Sequence, residues 1–207
     1  MTFTIHGIAR TRTSRVLWMA QELGVPYTHV KTAPGEGGTR SPAFRALSPM
    51  GRVPVLEMDG LVLSESLAIN LHLAKAFETP LGPRTKEEDG LMTMWTLFAA
   101  TELEPNAHEV LVHTLNRPEA ERDPAARDAA LAALARPLAA LETALVAGGG
   151  HLVGGRFTVA DLNVASILFY LRAAPGALAA TPAVAALWDE AQARPAYAAM
   201  MRLREEG

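Results

Sequence analysis

The sequence predicts an α/β domain followed by an all-helical one, and three observations carry that expectation. Two short stretches near the N-terminus alternate apolar and polar residues, with a helical period between them. A second pair of apolar runs meets at Asp59-Gly60, and beyond a break rich in proline and glycine, from Glu78 to Arg84, no strand pattern recurs. The order is therefore βαβ, then ββα, then a series of helices, giving a first domain at 1–78, a linker at 79–86 and a helical domain at 87–207.

The elements follow from local patterns. Phe3 and Ile5 alternate with polar neighbours in TFTIH. From Ser14 to Gly24 the spacing becomes helical, with Val16, Ala20 and Leu23 on one side, and Gly24 and Pro26 stop it before a second strand at Tyr27–Lys31. A loop, TAPGEGGTRSP, leads to a helical turn at Phe44–Leu47. In VPVLEMDGLVLS two apolar runs flank Asp59-Gly60, residues that tolerate positive φ and so favour a tight hairpin. Ile69, Leu73, Ala76 and Phe77 form one face of the next helix.

In the second half, Thr85 with Glu88 reads as a capping box, and Leu91, Trp95, Phe98 and Ala99 share a face. Asp123 precedes Pro124 as an N-cap precedes N1. The stripe Leu131, Leu134, Leu138, Leu141 and Leu145 reads as bundle core rather than a dimer zipper, with Pro137 expected to kink or split the helix and Gly148–Gly150 to end it. Further helices start at Thr158, Thr181-Pro182 and Arg194-Pro195.

Composition excludes several classes of function. Apolar residues make up 49% and charged residues 20%, which suits a packed core. A net charge of -3 leaves no basic surplus for phosphate contacts, so nucleic acid is not an expected partner. The first residues lack the apolar core of a signal peptide and no uninterrupted apolar run suits a membrane span, so the expected location is cytoplasmic, with no membrane partner. Cysteine is absent, which removes thiolate metal sites and any nucleophilic thiol of the chain's own. Thiol chemistry here must use a ligand's thiol. The histidines are scattered between His6 and His151 without helical i, i+4 pairing, and no metal is expected.

The most informative stretch is SPMGRVPVLEMDGLVLSESLAIN. Pro54 cannot donate to a strand ladder, so it marks a bend or edge, and a cis bond there would expose the Val53 backbone to a ligand. Ser64, Glu65 and Ser66 stand where a strand passes into a helix, whose free N–H groups attract an anion. Glu65 adds a partner for an ammonium. Such a group suits the carboxylate and ammonium of an amino acid, although Ser64 or Glu65 can equally serve only as a helix cap.

This stretch resembles the glutathione-binding motif of the glutathione S-transferase family in its SP-G-VP-L lead, its D-G hairpin and its E-S pair. GRFTVADLNVAS resembles the family's second signature, and GIARTRTSRVLWMAQELGVPY its strand–helix opening. The chain is thereby identified as similar to the cytosolic, bacterial-like members with a hydroxyl-type rather than a cysteine-type site. The resemblance implies a thioredoxin-like first domain, glutathione as co-substrate and no metal, a small electrophilic second substrate, a role in detoxification, and a homodimer. It implies a cis Pro54, pairing of the Val53 backbone with the cysteinyl part of glutathione, and capture of the γ-glutamyl end by Glu65 and Ser66. Arg40 and Arg52 lie near the expected glycine-carboxylate end, as ligand contacts or as solvated surface charges. Thr158 and Asp161 look like a structural capping box.

Family members activate the thiol with a Tyr, Ser or other hydrogen-bond donor near the end of the first strand or the start of the first helix, or use a Cys for redox chemistry; here Thr11, Thr13 and Ser14 stand among Arg10, Arg12 and Arg15, and a hydroxyl or an arginine can serve. Counting back from Arg15, which matches the basic residue opening the family's first helix, Thr11 falls at the position of that hydroxyl, with Thr13 the second choice and Ser14 an expected helix N-cap. Trp95, Asn106 and His108 are candidates for lining the second-substrate pocket. Two other functions stay open at this point: glutathione-dependent reduction of disulfides or peroxides, and a non-catalytic glutathione-binding protein of the same fold.

Overall fold

A computed structural model describes residues 2–206. The chain forms two compact units, one of residues 1–79 with 192–207 and the other of residues 80–191. In the first unit β1 (Phe3–His6), α1 (Thr13–Leu23) and β2 (Tyr27–Val30) form a βαβ element, α2 (Pro42–Leu47) follows, and β3 (Val55–Met58), β4 (Leu61–Ser64) and α3 (Ser66–Ala76) complete ββα. The sheet has the order β2-β1-β3-β4, with β1 parallel to β2 and antiparallel to β3. This is the expected thioredoxin-like arrangement.

Each turn has its local cause. The hairpin holds Asp59 at φ 50° and Gly60 at φ 82°, both in the left-handed region that a two-residue hairpin turn needs. Phe3 pairs with Tyr27 in the β1–β2 register and their rings stack 5.9 Å apart. Helix α1 begins at Thr13 rather than at Ser14, so Ser14 is not its N-cap; the Ser14 hydroxyl instead donates to the Thr11 carbonyl at 3.0 Å. Residues Arg15 to Ala20 of α1 are all buried, more than the one face its sequence marks as apolar.

The reason is α9 (Pro195–Glu205), which belongs to this unit and packs along α1. Trp18 meets Tyr197 edge-on at 5.2 Å, and Arg194 grips the Glu22 carboxylate with two bonds of 2.6 and 2.8 Å. At the other end Arg204 donates to the Ala9 carbonyl at 2.9 Å and Arg10 to the Arg204 carbonyl at 3.3 Å. Helix α9 is thus tied to the C-terminal end of α1 through Arg194 and to the loop between β1 and α1 through Arg204.

The second unit contains α4 (Lys86–Phe98), α5 (Glu104–Leu111), α6 (Pro124–Ala147), α7 (Val159–Leu168) and α8 (Pro182–Ala193), the last running two residues past the unit's edge. Every residue of α7 is buried, which makes it the core helix. Its start is the expected capping box: Thr158 N–H and hydroxyl donate to one Asp161 oxygen at 2.8 and 2.7 Å, while Leu152 N–H takes the other at 2.9 Å. Asp123 caps α6 through the N–H groups of Ala125 and Ala126.

Besides the Ser14 cap, three expectations need correction. Thr85 accepts the Glu88 N–H at 3.2 Å, but the Glu88 carboxylate turns to Arg84 N–H and Arg156 instead of closing the box. Helix α4 buries Met92 and Thr96, whereas Leu91 is 43% exposed and Trp95 and Phe98 are half-buried; of the expected face only Ala99, just past the helix, is buried. Pro137 does not divide α6, which runs unbroken with the proline buried beside Leu134, Leu138 and Leu141. The most apolar part of α6 has a mean hydropathy of 1.5, long and apolar enough to cross a membrane by composition; of its leucine stripe Leu134, Leu138, Leu141 and Leu145 are buried and Leu131 is half-buried.

Candidate active site

All the residues expected to act are in the first unit, where β1 ends and two helices begin. Gly7 follows β1 with φ 130°, a backbone conformation that suits glycine. A Cβ on it would lie 2.1 Å from Thr13 Oγ1 and 2.9 Å from Val53 Cβ, so Thr13 and Val53 close over the glycine from two sides. Thr13 is the first residue of α1 and has no exposed surface.

Thr11 stands in the preceding loop and is half-buried. Its Oγ1 lies 2.8 Å from the Ile8 carbonyl oxygen, 2.9 Å from Thr13 Oγ1 and 3.2 Å from the Thr13 backbone nitrogen. The two candidate hydroxyls are therefore directly joined, with Thr11 on the accessible side.

Helix α3 brings its N-terminus to the same region through Arg15. This guanidinium, on a residue only 3% exposed, donates to Ser66 Oγ across a long 3.4 Å, and Asn70 Nδ2 of α3 donates to the Arg15 carbonyl at 3.3 Å. Ser66 opens α3 and is 4% exposed. Glu65 occupies the cap position at φ 70° and ψ 108°, conformations that cost a non-glycine residue energy, and its side chain makes no capping bond. A cap role thus does not account for Glu65. Strain held at such a site is a pointer to ligand binding.

The Val53-Pro54 peptide is cis, as the motif implied. Among the described residues the Val53 N–H and C=O enter none of the backbone hydrogen bonds of turns and loops, and Val53 is half-buried. Ser48, 2% exposed, holds the preceding turn: its hydroxyl donates to the Arg52 carbonyl at 3.0 Å and accepts the Arg52 N–H at 3.2 Å. Arg52 itself is exposed. Arg40 is exposed and reaches Glu36 at 3.4 Å, a solvated pair. Its loop nevertheless adjoins that of Arg52, since a Cβ on Gly51 would sit 2.9 Å from the Thr39 carbonyl oxygen.

The arrangement joins two helix N-termini, one buried guanidinium and three hydroxyls, a setting that favours an anionic sulfur or carboxylate. Arg15 was named in the sequence only as a landmark, and its burial was not foreseen. A charged residue beside Val16 and Leu17 in a helix so apolar was the available signal. Of the pocket candidates, Trp95 packs on Phe98 at 5.3 Å and His108 on Tyr170 at 5.6 Å, while Asn106 is half-buried on α5. Among the described residues no cluster of three His, Cys, Asp or Glu residues could hold a metal.

Residues 11–76 match the family model of the glutathione S-transferase N-terminal domain, and residues 103–195 that of the C-terminal domain. Glutathione S-transferase 4 of Zea mays is 34% identical over 188 residues, covering 88% of this chain and 84% of the relative. The chain belongs to the glutathione S-transferase family. Among solved members of the family, the theta class glutathione S-transferase of Xanthomonas axonopodis pv. citri, determined with glutathione bound, has a TM-score of 0.78 and 31% identity over 94% of each chain. Glutathione transferase F7 of Populus trichocarpa superposes with a TM-score of 0.86 at 25% identity, covering 98% of this chain and 99% of that one. The family match to the N-terminal domain, residues 11–76, includes Thr11, Thr13, Arg15, Arg40, Arg52, Val53, Pro54, Glu65 and Ser66.

Proposed function

We propose that this chain is a glutathione transferase in which Thr11 stabilises the glutathione thiolate for attack on a small electrophile. The reading rests on the half-buried Thr11 hydroxyl at the entry to α1, 2.9 Å from that of Thr13, in a chain without cysteine. The Val53 backbone pairs with the cysteinyl part of glutathione, and Glu65 and Ser66 hold its γ-glutamyl ammonium and carboxylate. Arg52, with Arg40 beside it, faces the glycine carboxylate.

The energetic demand is modest. A free thiol of pKa about 8.5 is roughly 3% ionised at pH 7, and lowering it two units takes about 2.7 kcal/mol of preference for the thiolate. A hydroxyl donor, the N-terminus of α1 and the nearby Arg15 contribute in the same direction. The thiol proton leaves to solvent, the sulfur electron pair forms a C–S bond, and the electrophile loses a leaving group or takes up a proton. We take the working form to be a cytoplasmic homodimer. Leu91, Met94 and Leu97, which are 43%, 47% and 58% exposed along one side of α4, offer an apolar stripe for the second copy to cover.

The decisive experiment is ultraviolet titration of glutathione bound to wild-type protein and to Thr11→Ala, beside calorimetric binding to Ser66→Ala and Glu65→Gln. Thr11→Ala should raise the thiol pKa and lower kcat more than it raises KM, and each of the other two variants should weaken binding. An unchanged titration in Thr11→Ala together with unchanged affinity in both other variants would overturn the assignment.

A further inference from the structure

We infer that Thr13 is a positioning residue whose buried hydroxyl forces Thr11 to act as a hydrogen-bond donor, so that the site accepts a thiolate and rejects a thiol. This deepens the proposed role of Thr11 and rests on it.

The argument is a count of protons and lone pairs. A threonine hydroxyl has one proton to give and two lone pairs to receive. The Ile8 carbonyl, 2.8 Å from Thr11 Oγ1, can only accept, so the Thr11 proton points there. The 2.9 Å contact between the two hydroxyls must then run from Thr13 to Thr11. The Thr13 backbone N–H, at 3.2 Å, takes the other lone pair. Both acceptor sites of Thr11 are filled by the same residue.

A ligand can change this only by turning the hydroxyl about its Cβ–Oγ1 bond, which loosens the longer accepted bond, from the Thr13 N–H, and keeps the one from the Thr13 hydroxyl. The proton can swing from Ile8 to the sulfur, and the Ile8 carbonyl keeps a partner when it does, because the Thr11 N–H donates to the same oxygen at 3.1 Å. A thiolate sulfur receives that proton well. A neutral thiol would have to donate its own S–H, and Thr11 has no lone pair open to it. Thr13 thereby converts a hydroxyl that could stabilise either form into one that stabilises the anion. Donation from Thr13 also polarises the Thr11 O–H bond.

Thr13 is suited to this task because, among the described residues, its hydroxyl has Thr11 as its hydrogen-bond partner and no other. It has no exposed surface, and the close approach of its Oγ1 to the Gly7 backbone shuts out water that might otherwise occupy the hydroxyl. It does not touch the substrate and acts through Thr11.

The test uses Thr13→Val, which keeps the shape and removes the hydroxyl, with Thr13→Ser as rescue and Thr11→Val and the double variant to complete a cycle. Thr13→Val should raise the pKa of bound glutathione by about one unit, roughly a tenfold loss of thiolate below that pKa. The fall should appear in kcat with KM little changed, and Thr13→Ser should restore both. In the Thr11→Val background the further change Thr13→Val should have no effect on the titration. A normal titration in Thr13→Val, with Thr11→Val shifted, overturns this inference and leaves the Thr11 reading standing. Additive shifts in the double variant do the same, since Thr13 would then act without Thr11. A normal titration in Thr11→Val overturns both. If Thr13→Val fails to fold, the shift measured in Thr13→Ala against Thr13→Ser decides by the same criteria.

Discussion

Replacing Gly7 by alanine tests the packing that joins β1 to the active-site hydroxyls. At φ 130° a side chain is strained by about 1–3 kcal/mol whatever the space around it. The new Cβ would also lie 2.1 Å from Thr13 Oγ1 and 2.9 Å from Val53 Cβ, well inside contact distance, and overpacking of that kind costs about 1–3 kcal/mol more. The sum is about 2–6 kcal/mol, or a fall in Tm on the order of 10 °C for a chain of this size. Relief must come from moving Thr13, Val53 or both, so the titration of bound glutathione should shift with stability. Gly60→Ala supplies the control. Its φ of 82° carries comparable strain, but no atom lies within 4 Å of the added carbon. Urea midpoints of the two variants, measured beside thiolate titrations, separate strain from contact. If Gly7→Ala costs no more than Gly60→Ala and leaves the titration alone, the close approach described here does not hold the site together.

Two further outcomes follow from other parts of the molecule. Hydrogen bonds from Arg156 and then from the Arg84 N–H hold the Glu88 carboxyl at about 2, below its ordinary 4.5. A depressed carboxyl stabilises the fold above its unfolded pKa, and this contribution is lost as pH falls from 4.5 toward 2. Water reaches the pair, so its size is about 1 kcal/mol; Glu88→Gln should flatten the stability profile of urea midpoints across that window, and an identical acid limb would refute the link. For the dimer, wild-type protein should sediment at twice 22.1 kDa and Leu97→Glu at the single-chain mass; wild type already at the single-chain mass at micromolar concentration would refute the homodimer.

What could be read from the sequence was set by how local each determinant is. The Asp59-Gly60 turn, the Asp123 cap and the Thr158–Asp161 box each depend on residues within a few positions, and the structure has all three. The face of α4 was misread because Leu91, Trp95 and Phe98 form a more apolar row than Met92 and Thr96, and the partner of Thr96 explains its burial: Asn163 of α7 donates to its hydroxyl at 3.1 Å. The start of α1 was misplaced by a residue because Thr11, Thr13 and Ser14 are all good capping types. The burial of Arg15 depends on Ser66 and Asn70, some fifty residues away, and no local pattern encodes it. Nor does anything in Pro195–Glu205 announce that it will lie on α1. The candidate site was legible as a set of residue types; the pairing of Thr11 with Thr13 was not, since residues two apart at a helix start meet only if the loop turns as it does here.

The position of α9 has a consequence for synthesis. The unit that carries the active-site residues is interrupted by the other, and residues 192–207 leave the ribosome only after 80–191 have been made. At about 5–20 residues per second those roughly 110 residues take on the order of 5–20 s. For that interval α1 has emerged without the helix that covers Trp18 and brings Arg194 to Glu22, leaving an aromatic face and a carboxylate without its cation on the nascent chain. The helical unit, being continuous, is free to form first. A nascent chain of this protein therefore reaches the ribosome exit with its catalytic half translated early and finished late, and that is the stage at which a chaperone, or a neighbouring nascent copy, would meet it.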